Sequence, residues 1–201
     1  MVSSLATAAR HSMDSPEWYT PSPFVEAARE LMGAIDLDPA SHEEANRIVK
    51  AVRFFTAEDD GLVQVWRGGI FLNPPGGKCP YRKKSLVPLF WKHLQDEWTA
   101  ATLHDERFEC VYIGYSLEQL QTLQGVRGCL APLELPICVP DKRIAFVENE
   151  AKKALRIEKL IAQGKNPSEA SQPSHANFIN YFGPNTGRFW QVFERFGSVK
   201  L

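Results

Sequence analysis

Helical and extended patterns alternate along most of the chain. Apolar residues recur at helical spacing in six segments, 24–32, 41–52, 86–103, 116–123, 150–163 and 188–196. Short apolar runs predict strands at 34–39, 54–56, 70–72, 110–115, 143–147, 177–182 and 198–201, with a loop at 137–140. Strands that alternate with helices predict an α/β fold with a mostly parallel sheet.

Segments 143–147 and 177–182 are separated only by a charged helix and a polar linker, so we expect them to form an antiparallel edge. The length of 201 residues predicts a single domain. We expect this domain to span residues 16–201, with a flexible N-terminus at 1–15 and a helical and linker insertion at about 150–174.

Composition limits the possible partners. The net charge of −1 means that any surface for nucleic acid must be local. The four cysteines have no C-x-x-C spacing, which favours free thiols over a metal site. No apolar run reaches the length of a membrane span, and the first residues lack the pattern of a signal peptide. The sequence therefore predicts a cytoplasmic protein without a membrane or metal partner.

The Asn73-Pro74-Pro75 segment is the most informative motif, and it follows an apolar run. Two prolines fix φ and remove two backbone donors, so the segment stiffens the end of the strand. The side-chain oxygen of Asn73 and the carbonyl of Pro74 then form a rigid pair of acceptors for a planar amino group. This geometry is what an amine methyltransferase needs, because the two bonds would aim the nitrogen lone pair at a methyl donor. A proline-rich strand end without chemistry remains the alternative.

Two acidic segments are candidates for a nucleotide-like ligand. Asp36 and Asp38 lie two residues apart near the end of a predicted strand and before a helix, where α/β sheets bind such ligands. Asp59 and Asp60 belong to the acidic turn at 58–61 and are candidates for contact with a cofactor. An acidic helix cap and a solvated turn, respectively, are the alternatives. The G-x-G-x-x-G fingerprint is absent, which argues against an ordinary dinucleotide site.

Taken in order, these motifs resemble those of the phage-type (Dam-like) DNA adenine N6-methyltransferase family. A Trp-Tyr-Thr-Pro element, an Asp-Pro-Ala element, an acidic Gly-Leu element and Asn-Pro-Pro fall within about sixty residues. The resemblance continues through 115–120, 136–138, 143–144 and 174–177, and it covers residues 17–197.

The resemblance implies a compact Rossmann-like fold and methyl transfer from S-adenosyl-L-methionine to the amino group of adenine in double-stranded DNA. It implies that the cofactor is bound by Trp18, Thr20, Pro21, Asp36, Asp38, Pro39, Ala40 and Asp59 or Asp60. It implies that Asn73, Pro74 and Pro75 bind the target amine. The base would be extruded from the duplex, with no covalent enzyme intermediate and no metal. The protein would act in the cytoplasm of a bacterial host or phage-infected cell.

The sequence departs from the family pattern at two positions. The Asp-Pro-Ala element is followed by Ser41-His42-Glu43 rather than a glycine-rich turn. Gly76 follows Asn-Pro-Pro, where the family has an aromatic residue that stacks on the extruded base. We expect Tyr81 to replace that ring, with Phe71 and Trp91 as further options.

A basic loop follows the Asn-Pro-Pro segment, and it contains Lys78, Tyr81, Arg82, Lys83 and Lys84. Its position predicts contact with DNA phosphates, and a solvated loop is the alternative. Two other functions remain open. The first is methylation of another planar amine, on cytosine, a protein glutamine or a small molecule. The second is a DNA-binding relative without catalytic activity.

Overall fold

The computed structural model describes residues 18–79, 84–148, 150–166 and 175–201. The predicted flexible segment at 1–15 lies outside these residues. The strands are β1 (Trp18–Tyr19), β2 (Leu37–Asp38), β3 (Arg53–Phe54), β4 (Gly68–Leu72), β5 (Phe108–Gly114), β6 (Ile137–Pro140), β7 (Val147–Glu148), β8 (Phe178–Phe182) and β9 (Gly197–Lys200). The helices are α1 (Ser22–Met32), α2 (Glu43–Val49), α3 (Leu86–Leu103), α4 (Leu117–Leu123), α5 (Glu150–Ala162) and α6 (Thr186–Phe193).

Seven strands form one mixed sheet in the order β3-β2-β4-β5-β8-β6-β9. The first four strands are parallel to one another, whereas β8, β6 and β9 join through antiparallel pairings. The prediction of an α/β fold is confirmed, and so is an antiparallel part of the sheet. The prediction of a mostly parallel sheet is wrong, because half of the strand pairings are antiparallel.

The strand predictions near 137–148 need correction. Residues 137–140 form β6 rather than a loop, because the buried Ile137 and Cys138 pair with β8 on one side and β9 on the other. The sequence pattern did not predict this strand, because Pro136 precedes it and Pro140 is its last residue. Segment 143–147 is not a partner of β8. Only Val147–Glu148 is extended, and it pairs with β1 in a separate two-stranded sheet.

The two faces of the main sheet carry two apolar clusters. All seven residues of β5 are buried, and their side chains alternate between the faces. Val111 and Ile113 join the cluster under α1 and α6, whereas Cys110 and Tyr112 join the cluster under α3. A central strand covered on both sides explains why β5 reads as a continuous apolar run.

Helix ends fix the loops that border the carboxyl edge of the parallel strands. Helix α1 starts after Pro21 and ends at Gly33, whose φ of 80° suits glycine. Helix α2 begins at Glu43 rather than at 41, because the Ser41 amide donates to the Phe55 carbonyl at 2.9 Å and so holds the chain extended. Among the described residues, no helix is long and apolar enough to cross a membrane.

Candidate active site

Three loops meet at the carboxyl edge of the parallel strands. Leu37 pairs with Ile70, and Leu72 pairs with Tyr112, so β2, β4 and β5 run side by side in the same direction. Asp38 is the last residue of β2, and Asn73 is the first residue after β4. The structure therefore brings the Asp-Pro-Ala and Asn-Pro-Pro segments to neighbouring strand ends.

The side-chain amide of Asn73 is held in one orientation. Its Nδ2 donates to the Trp18 carbonyl at 3.4 Å and to the Thr20 hydroxyl at 3.3 Å. Thr20 itself is buried. No described residue donates a hydrogen bond to Asn73 Oδ1 or to the Pro74 carbonyl. Both donor positions of the amide are thus used by the protein, whereas its acceptor has no partner among the described residues.

Asp38 is a buried carboxylate, only 4% exposed. Burial raises its pKa from 3.8 to about 6, although the Ala40 amide and the nearby Ser41 hydroxyl partly offset this effect. Ala40 donates to Asp38 Oδ1 at 3.2 Å. Within the described ranges, no lysine or arginine forms an ion pair with this carboxylate. A bound cation would therefore give this carboxylate the partner that the described residues do not supply.

The acidic turn packs directly against the Asp-Pro-Ala segment. A Cβ at Gly61 would lie 2.0 Å from the Pro39 carbonyl oxygen, so only glycine allows this approach. Asp59 accepts from the amide and the hydroxyl of Thr56, both at 2.8 Å, which lowers its pKa. Asp60 accepts from the Leu62 amide at 3.2 Å. Each carboxylate therefore uses one oxygen to hold the turn, and its other oxygen accepts no hydrogen bond from the described residues.

Asp36 directly precedes β2, and its side chain contacts the amino-terminal ends of β4 and β5 rather than their carboxyl-terminal ends. Its Oδ2 accepts from the Gly69 amide at 2.7 Å and from the Arg107 guanidinium at 3.0 Å. Gly69 is four residues before Asn73, which is about 13 Å along a strand. Asp36 therefore links the amino ends of β2, β4 and β5, and the structure does not bring it to the other candidate residues.

Only part of the predicted DNA-contacting loop is described. Lys78 and Lys84 are exposed at the two ends of this loop, and the Cys79 amide donates to the Lys84 carbonyl at 2.7 Å. Tyr81, Arg82 and Lys83 lie outside the described residues. The loop returns to the start of α3 beside the Asn-Pro-Pro segment, because the Leu86 amide donates to the Gly77 carbonyl at 3.1 Å.

The structure restricts which ring lies near the proposed amine site. Phe71 and Trp91 are fully buried, and Trp91 Nε1 donates to the Leu130 carbonyl at 3.1 Å, so neither has a free face. A Cβ at Gly76 would meet nothing within 4 Å, and its φ is not in the left-handed region. The place of the missing family aromatic is thus open space.

Asn177 is a structural residue of the site that motif reading alone did not single out. It is buried, its Oδ1 accepts from the Ile144 amide at 2.8 Å, and its Nδ2 donates to the Tyr115 carbonyl at 2.8 Å. It joins the 141–146 loop to the end of β5. The sequence signals were its place in the 174–177 segment of the family resemblance and its position directly before a buried strand.

The α/β sheet carries a buried carboxylate and an Asn-Pro-Pro segment on neighbouring strand ends. This arrangement is expected of an amine methyltransferase. Residues 8–160 match the family model described as DNA N-6-adenine-methyltransferase (Dam). The chain therefore belongs to the Dam family of DNA adenine methyltransferases, as its motifs predict. No curated protein and no solved structure matches the chain. Among the described residues, no cluster of three or more histidine, cysteine or acidic side chains could hold a metal ion.

Proposed function

We propose that this protein is a Rossmann-like, S-adenosylmethionine-dependent methyltransferase that modifies the exocyclic amino group of adenine in double-stranded DNA. Membership of the Dam family supports the reaction class. The single observation that carries the proposal within the structure is the orientation of Asn73. Its amide hydrogens are used by Trp18 and Thr20, and its oxygen accepts no hydrogen bond from any described residue.

Asn73 Oδ1 and the Pro74 carbonyl accept the two N–H bonds of the target amine. The lone pair of an adenine amino nitrogen is delocalised into the ring, so the free amine is a poor nucleophile. Two fixed acceptors pull the amino group toward a pyramidal form and orient its lone pair. Because Trp18 and Thr20 fix the Asn73 amide and the two prolines stiffen the backbone at Pro74, little reorganisation is needed when the reaction occurs.

The residues at the end of β2 fit the cofactor. The donor molecule, when bound, supplies an electrophilic methyl on a sulfonium and carries an ammonium group. Asp38 is a buried carboxylate without a cationic partner among the described residues, so it suits that ammonium. Thr20, Pro21, Pro39 and Ala40 would complete the methionine end, and Asp59 or Asp60 would bind the adenosine. Asp36 is not proposed as a cofactor ligand, because its carboxylate accepts from Gly69 and Arg107.

Duplex DNA is the proposed substrate, and the adenine leaves the helix to reach Asn73. Lys78 and Lys84 are proposed to bind backbone phosphates, and the sequence supports the same role for Arg82 and Lys83, which lie outside the described residues. We also propose that residues 16–201 form one domain, with 150–174 as an insertion, and that the enzyme acts in the cytoplasm.

The test is methyl transfer by Asn73→Ala. Wild-type protein and tritiated cofactor are incubated with genomic DNA that lacks adenine methylation, and the modified nucleoside is identified after digestion. We expect N6-methyladenine with wild type and a loss of about 10²–10³-fold in kcat with Asn73→Ala, while cofactor affinity stays within a few-fold. Asn185→Ala is a matched control, because this exposed asparagine lies beyond β8 at the opposite edge of the sheet.

Other outcomes of this assay would contradict the proposal. Label in protein, in cytosine or in a small molecule would identify a different planar amine as the substrate. Cofactor binding without any transfer, or no binding by calorimetry, would indicate an inactive relative. Near-normal turnover by Asn73→Ala would remove the role of its side chain.

A further inference from the structure

Tyr115 presents an aromatic ring at the carboxyl edge of the sheet. It follows β5 directly, and it is 40% exposed although all seven residues of that strand are buried. Its hydroxyl makes no hydrogen bond to any part of the chain that the structure describes. A ring left open next to a strand end of the proposed active site is available to a ligand.

Tyr115 and Asn73 follow two adjacent parallel strands at the same end of the sheet. Asn73 comes directly after Leu72, the last residue of β4, and Tyr115 comes directly after Gly114, the last residue of β5. Leu72 pairs with Tyr112, so β5 extends two residues further than β4. In extended geometry, an offset of two residues and one strand spacing corresponds to about 8 Å between the Cα atoms of Asn73 and Tyr115.

The backbone of Tyr115 is fixed on both sides. Its amide donates to Gln119 Oε1 at 3.1 Å, and its carbonyl accepts from Asn177 Nδ2 at 2.8 Å. The edge of its ring meets the His175 ring, with centroids 6.4 Å apart. A ring on a fixed backbone loses little conformational entropy when a flat ligand stacks on it.

We propose that Tyr115 is the ring against which the extruded adenine stacks, in place of the aromatic residue that Gly76 lacks. This inference rests on the proposed function, because it assumes that a base reaches Asn73. The acceptors of Asn73 and Pro74 hold the amino group, and Tyr115 covers one face of the base. Phe71 and Trp91 are too deeply buried to serve.

The test compares Tyr115→Leu, which keeps bulk but removes the ring, with Tyr115→Phe, which removes only the hydroxyl. Trp190→Leu is a control, because Trp190 is an aromatic residue of α6 that is 51% exposed. Each variant is assayed for methyl transfer and for cofactor affinity. The position of the methylated adenine is first located by sequencing. The fluorescence of a DNA duplex with 2-aminopurine at that position is then measured with each variant. The fluorescence reports base extrusion, which a purely structural role would not change selectively.

We expect Tyr115→Leu to lower kcat/KM for DNA about 5- to 150-fold, the range that corresponds to one lost base stack. The fluorescence change on binding should differ from that of wild type, with cofactor affinity unchanged. Tyr115→Phe and Trp190→Leu should resemble wild type. A Cβ at Gly76 would meet no described atom within 4 Å, and Gly76→Tyr should restore part of the activity in the Tyr115→Leu background.

Failure of this inference and failure of the proposed function give different results. If wild type methylates adenine but Tyr115→Leu behaves like Trp190→Leu, Tyr115 is not the stacking ring. A selective loss with Tyr81→Leu instead would assign that role to Tyr81. If wild type transfers no methyl group to adenine, the proposed function itself is wrong.

Discussion

Asp38 should make cofactor binding depend on pH in a way that no exposed carboxylate would. Its pKa is raised from 3.8 to about 6 by burial. If the ammonium of the cofactor binds only the ionised carboxylate, affinity is proportional to the ionised fraction. That fraction is about 0.9 at pH 7 and about 0.1 at pH 5, so the affinity should fall about tenfold between these values. The ammonium stays protonated over this range.

The same shift has the opposite effect on the free protein. Because the folded-state pKa lies above the unfolded value, the unfolded chain binds fewer protons between about pH 4 and pH 6. The free energy of unfolding therefore falls as pH rises through this window. A shift of roughly two units corresponds to about 3 kcal/mol, which is the upper limit of the stability that ionised Asp38 costs above pH 6.

Asp38→Asn separates the two effects. It should weaken cofactor binding at pH 7 and make the remaining affinity independent of pH. In the absence of cofactor, it should raise the stability at pH 8 relative to pH 4 by up to about 3 kcal/mol, compared with wild type. Calorimetric titration with S-adenosylmethionine from pH 5 to 8 measures the first effect, and denaturant unfolding at both pH values measures the second.

Asp36→Asn is the matched control, since Asp36 lies two residues away but binds Gly69 and Arg107 at the opposite edge. It should leave cofactor affinity unchanged. An Asp38→Asn variant with unaltered affinity and reduced stability would refute the reasoning, because Asp38 would then be a structural residue only.

Three further predictions concern the surroundings of the site. Thr20→Val removes one acceptor of the Asn73 amide and should lower kcat about tenfold with little change in KM for the cofactor, as steady-state kinetics would measure; an equal loss of cofactor affinity would contradict this. Asn177→Leu breaks the bonds to Ile144 and Tyr115 and should lower both thermal stability and kcat/KM for DNA, whereas an effect on cofactor affinity alone would oppose it. Lys84→Ala should weaken DNA binding alike on all sequences and reduce the salt-dependence slope by about 1, and unchanged binding in a salt titration would exclude a phosphate contact.

The sequence predicted local elements better than their arrangement. The bounds of α3 at 86–103 follow from its apolar periodicity and are confirmed. Strand β6 was missed because Pro136 precedes it and Pro140 is its last residue, and only its pairing with β8 and β9 identifies it as a strand. Pairing is a long-range property, so neither propensity nor periodicity determines it. The same limit explains why the partner of segment 143–147 was wrong.

The candidate residues divide in a similar way. Asp36 and Asp38 are equivalent in the sequence, since both are carboxylates near one short strand. In the structure, Arg107 comes from 71 positions later in the chain to pair with Asp36, whereas Asp38 remains unpaired within the described residues. Whether a carboxylate here forms a structural ion pair or remains available to a ligand therefore depends on the position of Arg107, which is distant in the sequence.

Four separate segments supply the proposed site, and the topology explains why they converge. Thr20 is adjacent to β1, and Asp38, Asn73 and Tyr115 terminate or follow three adjacent parallel strands. Parallel strands bring their carboxyl ends to one edge, whatever the length of chain between them. The Thr20 hydroxyl reaches that edge through its bond to Asn73, 53 residues away. The orientation of the Asn73 acceptor therefore depends on the docking of β1, and a variant that loosens the β1–β7 pairing should reduce methyl transfer without touching the substrate.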